Sequence, residues 1–430
     1  MRITIEELFS LYLRHRLITT DSRKIAAGSI FFALQGDNFD GNSFAKASLD
    51  NGAAYAVIDN PEYETEKCLL VDNVLDSLQQ LSGMYRDKLN MQIIAITGSN
   101  GKTTTKELVN AVLGSHYKVS ATKGNLNNHI GVPVTLLEIA DDTQFAIVEM
   151  GANHQGEIEN LCKIAKPTHG LITNIGRAHL GGFGGFEGIV KAKSELYTWL
   201  KTCQGHAFVN ADNPLLTELS AGIGKRTFYS AKPGFHTYGK IAEEAGFLVI
   251  DWMTGNNTIH ITTNLIGNYN FENVMAAICI GSFFGVPVEK IKGAISNYEP
   301  SNSRSQSLKT DRNTIILDAY NANPSSMIAA IENFKRIKSQ RKMLVLGDML
   351  ELGDESLAEH QAIVRMLIES DFDKVILVGP DFSRTAGSGF VTFPTSEDAR
   401  LWLSDQKIEN HTILIKGSRG IKMEIVLDAL

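Results

Sequence analysis

The chain has 430 residues, of which 43% are hydrophobic and 21% charged, and its formal net charge is −7. Its length and composition predict several globular domains, and its acidity argues against a nucleic-acid partner, because binding to phosphate backbones requires a basic surface. No apolar run reaches the roughly 20 residues of a membrane-spanning helix, and the N-terminus lacks the apolar core of a secretory signal. The four widely spaced cysteines predict buried, reduced thiols. We expect a cytoplasmic, monomeric enzyme that acts on small molecules and not on membranes.

Residues 1–88 have the pattern of a small α/β unit. Apolar runs at Gly28–Leu34 and Ala54–Ile58 predict strands, and a helical pattern lies between them, near Ser43–Asn51. The polar segment Thr20–Arg23, taken alone, indicates only a turn before a buried strand.

The next unit opens with a signal for phosphate binding. Ile93–Thr97 is a β-branched run that predicts a strand, and a helical pattern follows from about Lys102. The intervening Gly98-Ser99-Asn100-Gly101 turn can direct backbone N–H groups toward an anion. Lys102 can then reach the β- and γ-phosphates, and the Thr103 hydroxyl can ligate Mg²⁺. Ile96 stands where the usual motif has its first glycine, and a chance turn is the alternative, but the strand and helix context predicts ATP binding.

Other apolar runs in this unit predict strands at Phe145–Val148, Gly170–Thr173 and Ala207–Val209. Continuous apolar strands between helices indicate a parallel sheet covered on both faces. Glu149 follows the first of these strands and is a candidate Mg²⁺ ligand, with a solvated strand-end glutamate as the alternative. Taken alone, His179 indicates a structural histidine and Lys193 a surface lysine.

From about residue 310, strands alternate regularly with segments of helical length. These strands are predicted at Thr314–Leu317, Met343–Leu346, Val375–Val378 and Thr412–Ile415. The alternation predicts a doubly wound domain that binds ligands at the carboxyl ends of its strands. The sequence therefore predicts three α/β domains: residues 1–88, a central parallel-sheet domain at 89–308 and a Rossmann-like domain at 309–430.

The phosphate loop belongs to an ordered series of motifs. The series comprises TGSNGKTTTK at Thr97–Lys106, Asn125–Pro133, Glu149-Met150-Gly151, Asn174 to His179, and Ala192–Glu195. In order and spacing it resembles the muramyl ligase family, cytoplasmic enzymes that build the peptide of the bacterial cell wall. The resemblance runs from residue 20 to residue 424 and implies ATP-dependent formation of an amide bond.

Three further motifs are similar to those of one family activity, the addition of D-alanyl-D-alanine to UDP-N-acetylmuramoyl-tripeptide. They are Asp318–Met327, Gly347–Gly353 with His360, and Lys416–Arg419. The resemblance implies an acyl-phosphate intermediate and leaves open whether the third peptide residue is lysine or diaminopimelate. The alternatives are a folylpolyglutamate-type ligase, which lacks the Asn-Ala-Asn-Pro run, and a phosphate-loop regulatory ATPase, which needs no second metal site.

The resemblance also implies a role for individual residues. It assigns ATP binding to Gly98, Ser99, Asn100, Gly101, Lys102, Thr103, Thr104, Asn273, Arg304 and Asp318, where a helix-capping role is the alternative for Asn273. It assigns two Mg²⁺ ions to Thr103, Glu149, His179 and Lys193, and catalytic roles to Lys102, His179 and Lys193. Lys193 is implied to be carbamylated, because a carbamate offers oxygen ligands where an ammonium repels a dication. The UDP end of the substrate is assigned to Ser22, Arg23, Gln35 and Gly36, and the acceptor dipeptide to Asn321, Asn323 and Ser325.

Overall fold

The computed structural model describes residues 2–177, 180–243, 246–300 and 304–430. The described strands form three main sheets, of four, nine and six strands, and one two-stranded hairpin. The predicted α/β class with three domains is confirmed.

The N-terminal domain is built on a parallel sheet with the strand order β1-β2-β5-β6. Its elements are α1 (Ile5–Arg14), β1 (Ile18–Thr19), β2 (Ile30–Phe32), β3 (Gln35–Gly36), β4 (Phe39–Asp40), α2 (Ala45–Asp50), β5 (Tyr55–Ile58), β6 (Cys68–Leu70) and α3 (Val74–Lys88). Helix α1 begins where Thr4 and Glu7 form a reciprocal capping box. Its buried Tyr12 donates a hydrogen bond to the Leu137 carbonyl at 2.5 Å, which joins this domain to the central one.

The central domain carries the nine-stranded sheet, in the order β15-β14-β13-β12-β11-β10-β7-β9-β8. Its strands are β7 (Gln92–Thr97), β8 (Val119–Ala121), β9 (Phe145–Glu149), β10 (His169–Ile172), β11 (His206–Asn210), β12 (Lys225–Ser230), β13 (Thr237–Glu243), β14 (Phe247–Thr254) and β15 (Asn257–Ile266). Its helices are α4 (Lys102–Gly114), α5 (Gly131–Leu137), α6 (Glu157–Ala165), α7 (Leu180–Phe183), α8 (Phe186–Thr202), α9 (Pro214–Leu219), α10 (Asn270–Phe283) and α11 (Val288–Ser296).

Both faces of the central sheet are buried at β7, β9, β10 and β11, as the continuous apolar strands predicted. Successive residues of β7 point to opposite faces. Ile94 and Ile96 belong to the core that includes Leu108 of α4 and Ile278 of α10, whereas Ile93 belongs to the core on the other face.

The sequence interpretation missed the antiparallel extension of this sheet. Strands β13, β14 and β15 form a meander in which both pairings are antiparallel. The available signal was Gly255-Asn256 between two β-rich runs, since a two-residue loop of this type joins adjacent antiparallel strands.

The C-terminal domain has the strand order β16-β17-β21-β18-β19-β20, in which β16 alone of the described strands pairs antiparallel. Its elements are β16 (Gln306–Lys309), β17 (Thr314–Asp318), α12 (Pro324–Arg336), β18 (Lys342–Gly347), α13 (Ser356–Ile368), β19 (Lys374–Val378), α14 (Pro380–Thr385), β20 (Val391–Phe393), α15 (Ser396–Asp405) and β21 (Thr412–Lys416). The doubly wound prediction is confirmed, with each predicted strand found within a residue or two of its position.

The expectation of uniformly buried cysteines was wrong at one position. Cys68, Cys162 and Cys279 are buried, but Cys203 is exposed, and all four are free thiols. Cys203 follows directly after α8, where the chain turns at the surface. Of the described helices, none combines the length and apolarity needed to cross a membrane.

Candidate active site

The phosphate loop joins β7 to α4 and contacts the segment that follows the neighbouring strand β10. The Ser99 N–H donates to the Asn174 carbonyl at 2.9 Å. Gly98 and Gly101 have φ angles of +141° and +80°, which side chains rarely adopt. A Cβ at Gly98 would lie 2.0 Å from the Thr173 hydroxyl, and one at Gly101 would lie 2.5 Å from Asn273 Oδ1. Both glycines are therefore required by the close approach of the segment that follows β10 and of α10.

Lys102 begins α4 and folds back over the loop. Its Nζ donates to the carbonyls of Gly98 at 2.7 Å and Ser99 at 3.2 Å. Desolvation lowers the pKa of Lys102, while the charge of Glu149 partly opposes this shift. A poorly solvated ammonium held only by neutral carbonyls is available to an incoming polyphosphate.

Two oxygen-bearing side chains meet beside the loop. The Thr103 hydroxyl donates to Glu149 Oε2 at 2.9 Å, and Asn127 Nδ2 donates to Glu149 Oε1 at 2.8 Å. Thr103 and Glu149 are both buried. Hydroxyl and carboxylate oxygens at the base of a phosphate loop form the donor set that Mg²⁺ prefers, so these residues fit the expected ion.

Lys193 is not the surface lysine that its helix position alone indicates. Only 2% of it is exposed, its Nζ donates to the Ala152 carbonyl at 3.4 Å, and it lies 5.2 Å from the centroid of the Phe183 ring. Burial, and then the charge of Lys102, lower the pKa of Lys193 to about 7. Near neutral pH a large fraction of this amine is therefore uncharged and nucleophilic. His179, the other candidate ligand, lies outside the described residues.

The phosphate loop opens into a cavity of about 990 Å³ between the central and C-terminal domains. Its walls include most of the predicted nucleotide, metal and acceptor residues. Those residues are Ser99, Asn100, Gly101, Lys102, Thr103, Thr104, Glu149, Asn273, Arg304, Asp318, Asn321 and Ser325. The structure thus brings together residues that are up to about half the chain apart.

The C-terminal wall of the cavity is formed by a cationic and aromatic group that sequence reasoning did not assemble. The Arg304 guanidinium lies 3.7 Å from the centroid of the Tyr320 ring. Lys416, which is 2% exposed in its side chain, donates to Asp318 Oδ2 at 2.6 Å. Asp318 is therefore already paired, and Lys416 and Tyr320 are additions to the predicted site. The signal for Lys416 was its place at the carboxyl end of β21, within the Lys-Gly-Ser-Arg motif.

Two of the predicted acceptor residues, Asn323 and Ser325, already form hydrogen bonds within the protein. Asn323 caps α12 by accepting from the Ser326 N–H at 2.9 Å, and its Nδ2 donates to Asn100 Oδ1 at 2.7 Å. The Ser325 hydroxyl accepts from the Arg177 N–H at 3.1 Å. Both side chains thus connect the C-terminal domain to loops of the central domain.

Arg177 supplies a further link between these two domains. Its Nη1 lies 2.6 Å from Glu359 Oε1 on α13, and the Glu359 side chain is 11% exposed. No motif pointed to this pair, because its two members are not related by any local pattern.

The Gly347–Gly353 motif forms a loop that is held by buried hydrogen bonds and contributes one residue to the cavity wall. Buried Asp348 accepts two backbone N–H groups at the start of α14, each at 2.9 Å. His360 Nε2 accepts from the Met349 N–H at 3.0 Å, so its Nδ1 carries the proton that reaches the Ser356 carbonyl at 2.7 Å. These contacts fix the loop that places Glu351 on the cavity wall.

The predicted UDP-binding residues lie elsewhere, in half-buried or exposed positions of the segments that follow β1 and β2. Arg23 donates to both Asp21 oxygens, at 2.8 and 3.0 Å, and these bonds lower the pKa of Asp21 to about 2. Gln35 donates to Asp59 at 3.0 Å, and Gly36 pairs with Phe39 in the β3–β4 hairpin. Ser22 is half-buried in the turn before β2. None of the four predicted residues is among the described residues that line the cavity.

A phosphate loop that opens toward a second α/β domain is the arrangement of an enzyme that uses a nucleotide to activate a substrate bound between domains. Comparison with known proteins places this enzyme in a family. Three family models match the chain: Mur ligase family, catalytic domain, at residues 15–86; Mur ligase middle domain, at 96–281; and Mur ligase, glutamate ligase domain, at 303–419. The chain belongs to the Mur ligase family, and the resemblance seen in its motifs is confirmed.

Individual relatives resemble the chain over nearly its whole length. The UDP-N-acetylmuramoyl-tripeptide--D-alanyl-D-alanine ligase of Bacillus subtilis is 36% identical, covering 96% of this chain and 92% of the relative. A crystal structure of MurF from Acinetobacter baumannii is 32% identical, with a TM-score of 0.87, and the match covers 96% of this chain and 92% of that one. MurF ligase from Thermotoga maritima in complex with ADP is 25% identical, with a TM-score of 0.85, and the match covers 97% of each chain.

The folylpolyglutamate alternative has weaker support. Folylpolyglutamate synthase from Thermotoga maritima is 15% identical with a TM-score of 0.61, covering 82% of this chain and 91% of that one. This likeness concerns the fold alone.

Proposed function

We propose that the protein is an ATP-dependent ligase that joins D-alanyl-D-alanine to UDP-N-acetylmuramoyl-tripeptide. The observation that carries this proposal is the near full-length similarity to ligases with that activity, at 36% identity to the Bacillus subtilis relative. The phosphate loop, the Thr103–Glu149 pair and the large cavity supply the chemistry that such a ligase requires.

The reaction must overcome the resistance of a carboxylate to attack by an amine. The terminal carboxylate of the tripeptide attacks the γ-phosphorus of ATP, the bond to the β-phosphate oxygen breaks, and ADP leaves. The amine of D-alanyl-D-alanine then attacks the carbonyl carbon of the acyl phosphate and loses a proton as inorganic phosphate departs. We propose that Lys102 contacts the transferred phosphoryl group and stabilises its charge. Enclosure between two domains protects the acyl phosphate from water.

Thr103 and Glu149 are the residues proposed to hold one Mg²⁺, and His179 and Lys193 those proposed for a second. Such ions neutralise charge on the polyphosphate when they are bound. Carbamylation of Lys193 is part of this proposal. It is supported by burial and by the pKa of about 7, because only an uncharged amine can attack CO₂.

Substrate binding is assigned by region. We propose that Ser22, Arg23, Gln35 and Gly36 contact the UDP end, and that Arg304 and Asp318 contact the nucleoside of ATP. Asn321 and Ser325, on the cavity wall, are proposed to face the acceptor dipeptide, with Asn323 positioning their segment through Asn100.

The same proposal covers the organisation of the protein. We propose domain boundaries near residues 88 and 308, which separate the three sheets, and a cytoplasmic monomer. Supporting the boundaries, β6 and β7 belong to different sheets, as do β15 and β16.

The test is a phosphate-release assay with ATP, Mg²⁺, UDP-N-acetylmuramoyl-tripeptide and D-alanyl-D-alanine, omitting each component in turn. The proposal predicts that release requires every component and yields a UDP-pentapeptide by mass spectrometry. Running the tripeptide with lysine and with diaminopimelate identifies its third residue. If phosphate is released at the same rate without the dipeptide and without the sugar nucleotide, the result would instead favour a regulatory ATPase.

A further inference from the structure

The positively charged side chains on the cavity wall differ in what surrounds their charge. Those among the described residues are Lys102, Arg304, Lys416 and Arg419. The charge of Lys416 is balanced by Asp318, which lies 2.6 Å away. Burial lowers the pKa of Lys102, and the charge of Arg304 adds to this shift. Arg304 therefore lies near the phosphate loop, on the side of the cavity where ATP is proposed to bind.

Arg419 carries a charge that no described carboxylate neutralises. It follows β21 and is exposed, and within the part of the chain that the structure describes its guanidinium forms neither an ion pair nor a hydrogen bond. The guanidinium lies 5.4 Å from the centroid of the Tyr320 ring, which Arg304 also contacts. Because two guanidinium groups beside one ring repel each other, an anion bound next to them is favoured.

The backbone that carries Arg419 is tied to the segment of the predicted acceptor residues. The buried Ser418 hydroxyl donates to the Ala322 carbonyl at 3.2 Å. Lys416 Nζ donates to the Asn321 carbonyl at 3.3 Å. Arg419 thus lies next to the segment that contains Asn321, with a fixed backbone and a head group that is available to a ligand.

The acceptor dipeptide requires a cation in this part of the cavity. In the proposed reaction its amine attacks the acyl phosphate beside Lys102, and its carboxylate is at the other end of the molecule. Two extended residues span about 7 Å, so the carboxylate lies away from the phosphate loop. A carboxylate that leaves water needs a charged partner, and a guanidinium can donate two parallel hydrogen bonds to it. Since Lys416 is paired and Arg304 lies near the loop, Arg419 is the described cation that fits this role.

We propose that Arg419 binds the terminal carboxylate of D-alanyl-D-alanine and thereby selects an acceptor whose C-terminus is free. An acceptor with an amidated C-terminus has no charge to offer the guanidinium and is disfavoured. The inference deepens the proposed function and rests on it, since it requires that the cavity hold the acceptor dipeptide.

The test compares D-alanyl-D-alanine with D-alanyl-D-alanine amide as acceptors for the full chain, by phosphate release with saturating ATP, Mg²⁺ and UDP-N-acetylmuramoyl-tripeptide. For the wild-type protein, kcat/KM should be about 10- to 100-fold higher with the free acid, the range of a hydrogen bond to a charged group. Arg419→Gln should raise KM for the free acid about tenfold or more and narrow the acid-to-amide ratio of kcat/KM by the same factor. Arg419→Lys should recover part of the ratio, because lysine keeps the charge but loses the paired donors.

Arg341→Gln is the matched control. Arg341 is exposed, precedes β18 at the opposite end of the same sheet and does not line the cavity, so this variant should leave the ratio unchanged. Equal losses with both acceptors in Arg419→Gln, the result of a purely structural role, overturn the inference. If that variant does not fold, the wild-type protein decides, because equal kcat/KM for the two acceptors contradicts recognition of the carboxylate.

Calorimetric titration with ADP separates a role in acceptor binding from a role in nucleotide binding. Arg419→Gln should bind ADP as tightly as the wild-type protein does. A tenfold loss of affinity for ADP, with an unchanged acid-to-amide ratio, assigns Arg419 to the nucleotide and overturns the inference.

The outcome is separable from the proposed function. Phosphate release that requires every substrate, together with an acid-to-amide ratio that Arg419→Gln does not change, removes only the role of Arg419. If phosphate is released at the same rate without the dipeptide and without the sugar nucleotide, the ligase assignment is wrong and the inference is wrong with it.

Discussion

The active-site cavity and the predicted UDP-binding region differ in how completely the fold prepares them for a ligand. In the cavity, Lys102, Thr103 and Glu149 are desolvated and held by short contacts with backbone or neighbouring side chains. In the N-terminal region, the Arg23 side chain is 85% exposed and paired with Asp21. The difference follows from chemistry: phosphoryl transfer needs preorganised charge in a dry site, whereas a pyrophosphate can be held by flexible side chains at a surface.

The largest effect is expected from Lys102→Ala, which tests the preorganised side of the comparison. Loss of a desolvated charge at the phosphoryl group should lower kcat/KM by about 10³-fold. Steady-state phosphate release measures this. Lys123→Ala is the control, since the Lys123 side chain is 76% exposed. A loss below tenfold for Lys102→Ala would show that the loop lysine is not used for charge stabilisation.

Lys193→Arg should have the next largest effect. Arginine stays protonated at neutral pH, so it cannot form a carbamate. The variant loses a proposed metal ligand, and a bound metal ion stabilises charge in the transition state by several kcal/mol. Losing part of this stabilisation should reduce kcat by at least about 100-fold. Binding of ADP without metal should be nearly unchanged. Full activity in Lys193→Arg would exclude a role for carbamylation.

Arg23→Ala probes the exposed side of the comparison. Loss of one charge-assisted bond to a phosphate at an exposed site should raise KM for the UDP substrate about tenfold, with little change in kcat. The adjacent exposed Lys24, changed to alanine, is the control. A fall in kcat with unchanged KM would mean that this region acts on the reaction and not on binding.

The smallest effect is expected at the contact between Asn100 and Asn323. A double-mutant cycle with Asn100→Ala and Asn323→Ala should give a coupling energy of about 1 kcal/mol in kcat/KM. Asn323→Ala should also lower the unfolding free energy by about 1 kcal/mol through loss of the α12 cap. Strict additivity of the two changes would show that the contact does not contribute to the active state.

The features that could be predicted from the sequence are those that depend on residues close to one another in the chain. The strand, glycine turn and helix around Lys102 follow from β-branched residues, two glycines and a helical period, and they were found as expected. The position of Glu149 at a strand's carboxyl end followed from the same logic.

What could not be predicted depends on how the domains pack. Stacking of Arg304 on Tyr320, pairing of Lys416 with Asp318, and commitment of Asn323 to Asn100 join segments that no local period relates. The lowered pKa of Lys193 likewise comes from burial, to which Phe183 of α7 and the Ala152 segment contribute, whereas its sequence position alone predicts a solvated helix face.

The exposed thiol of Cys203 gives the protein a built-in attachment point for a reporter. The other cysteines are buried, and burial raises the pKa of the Cys162 and Cys279 thiols, so a maleimide dye at neutral pH should label Cys203 alone. Because Cys203 lies on the central domain, a second dye on an engineered cysteine in the C-terminal domain would complete a donor–acceptor pair that spans the two domains. Energy transfer between the two dyes could then follow the separation of those domains during turnover.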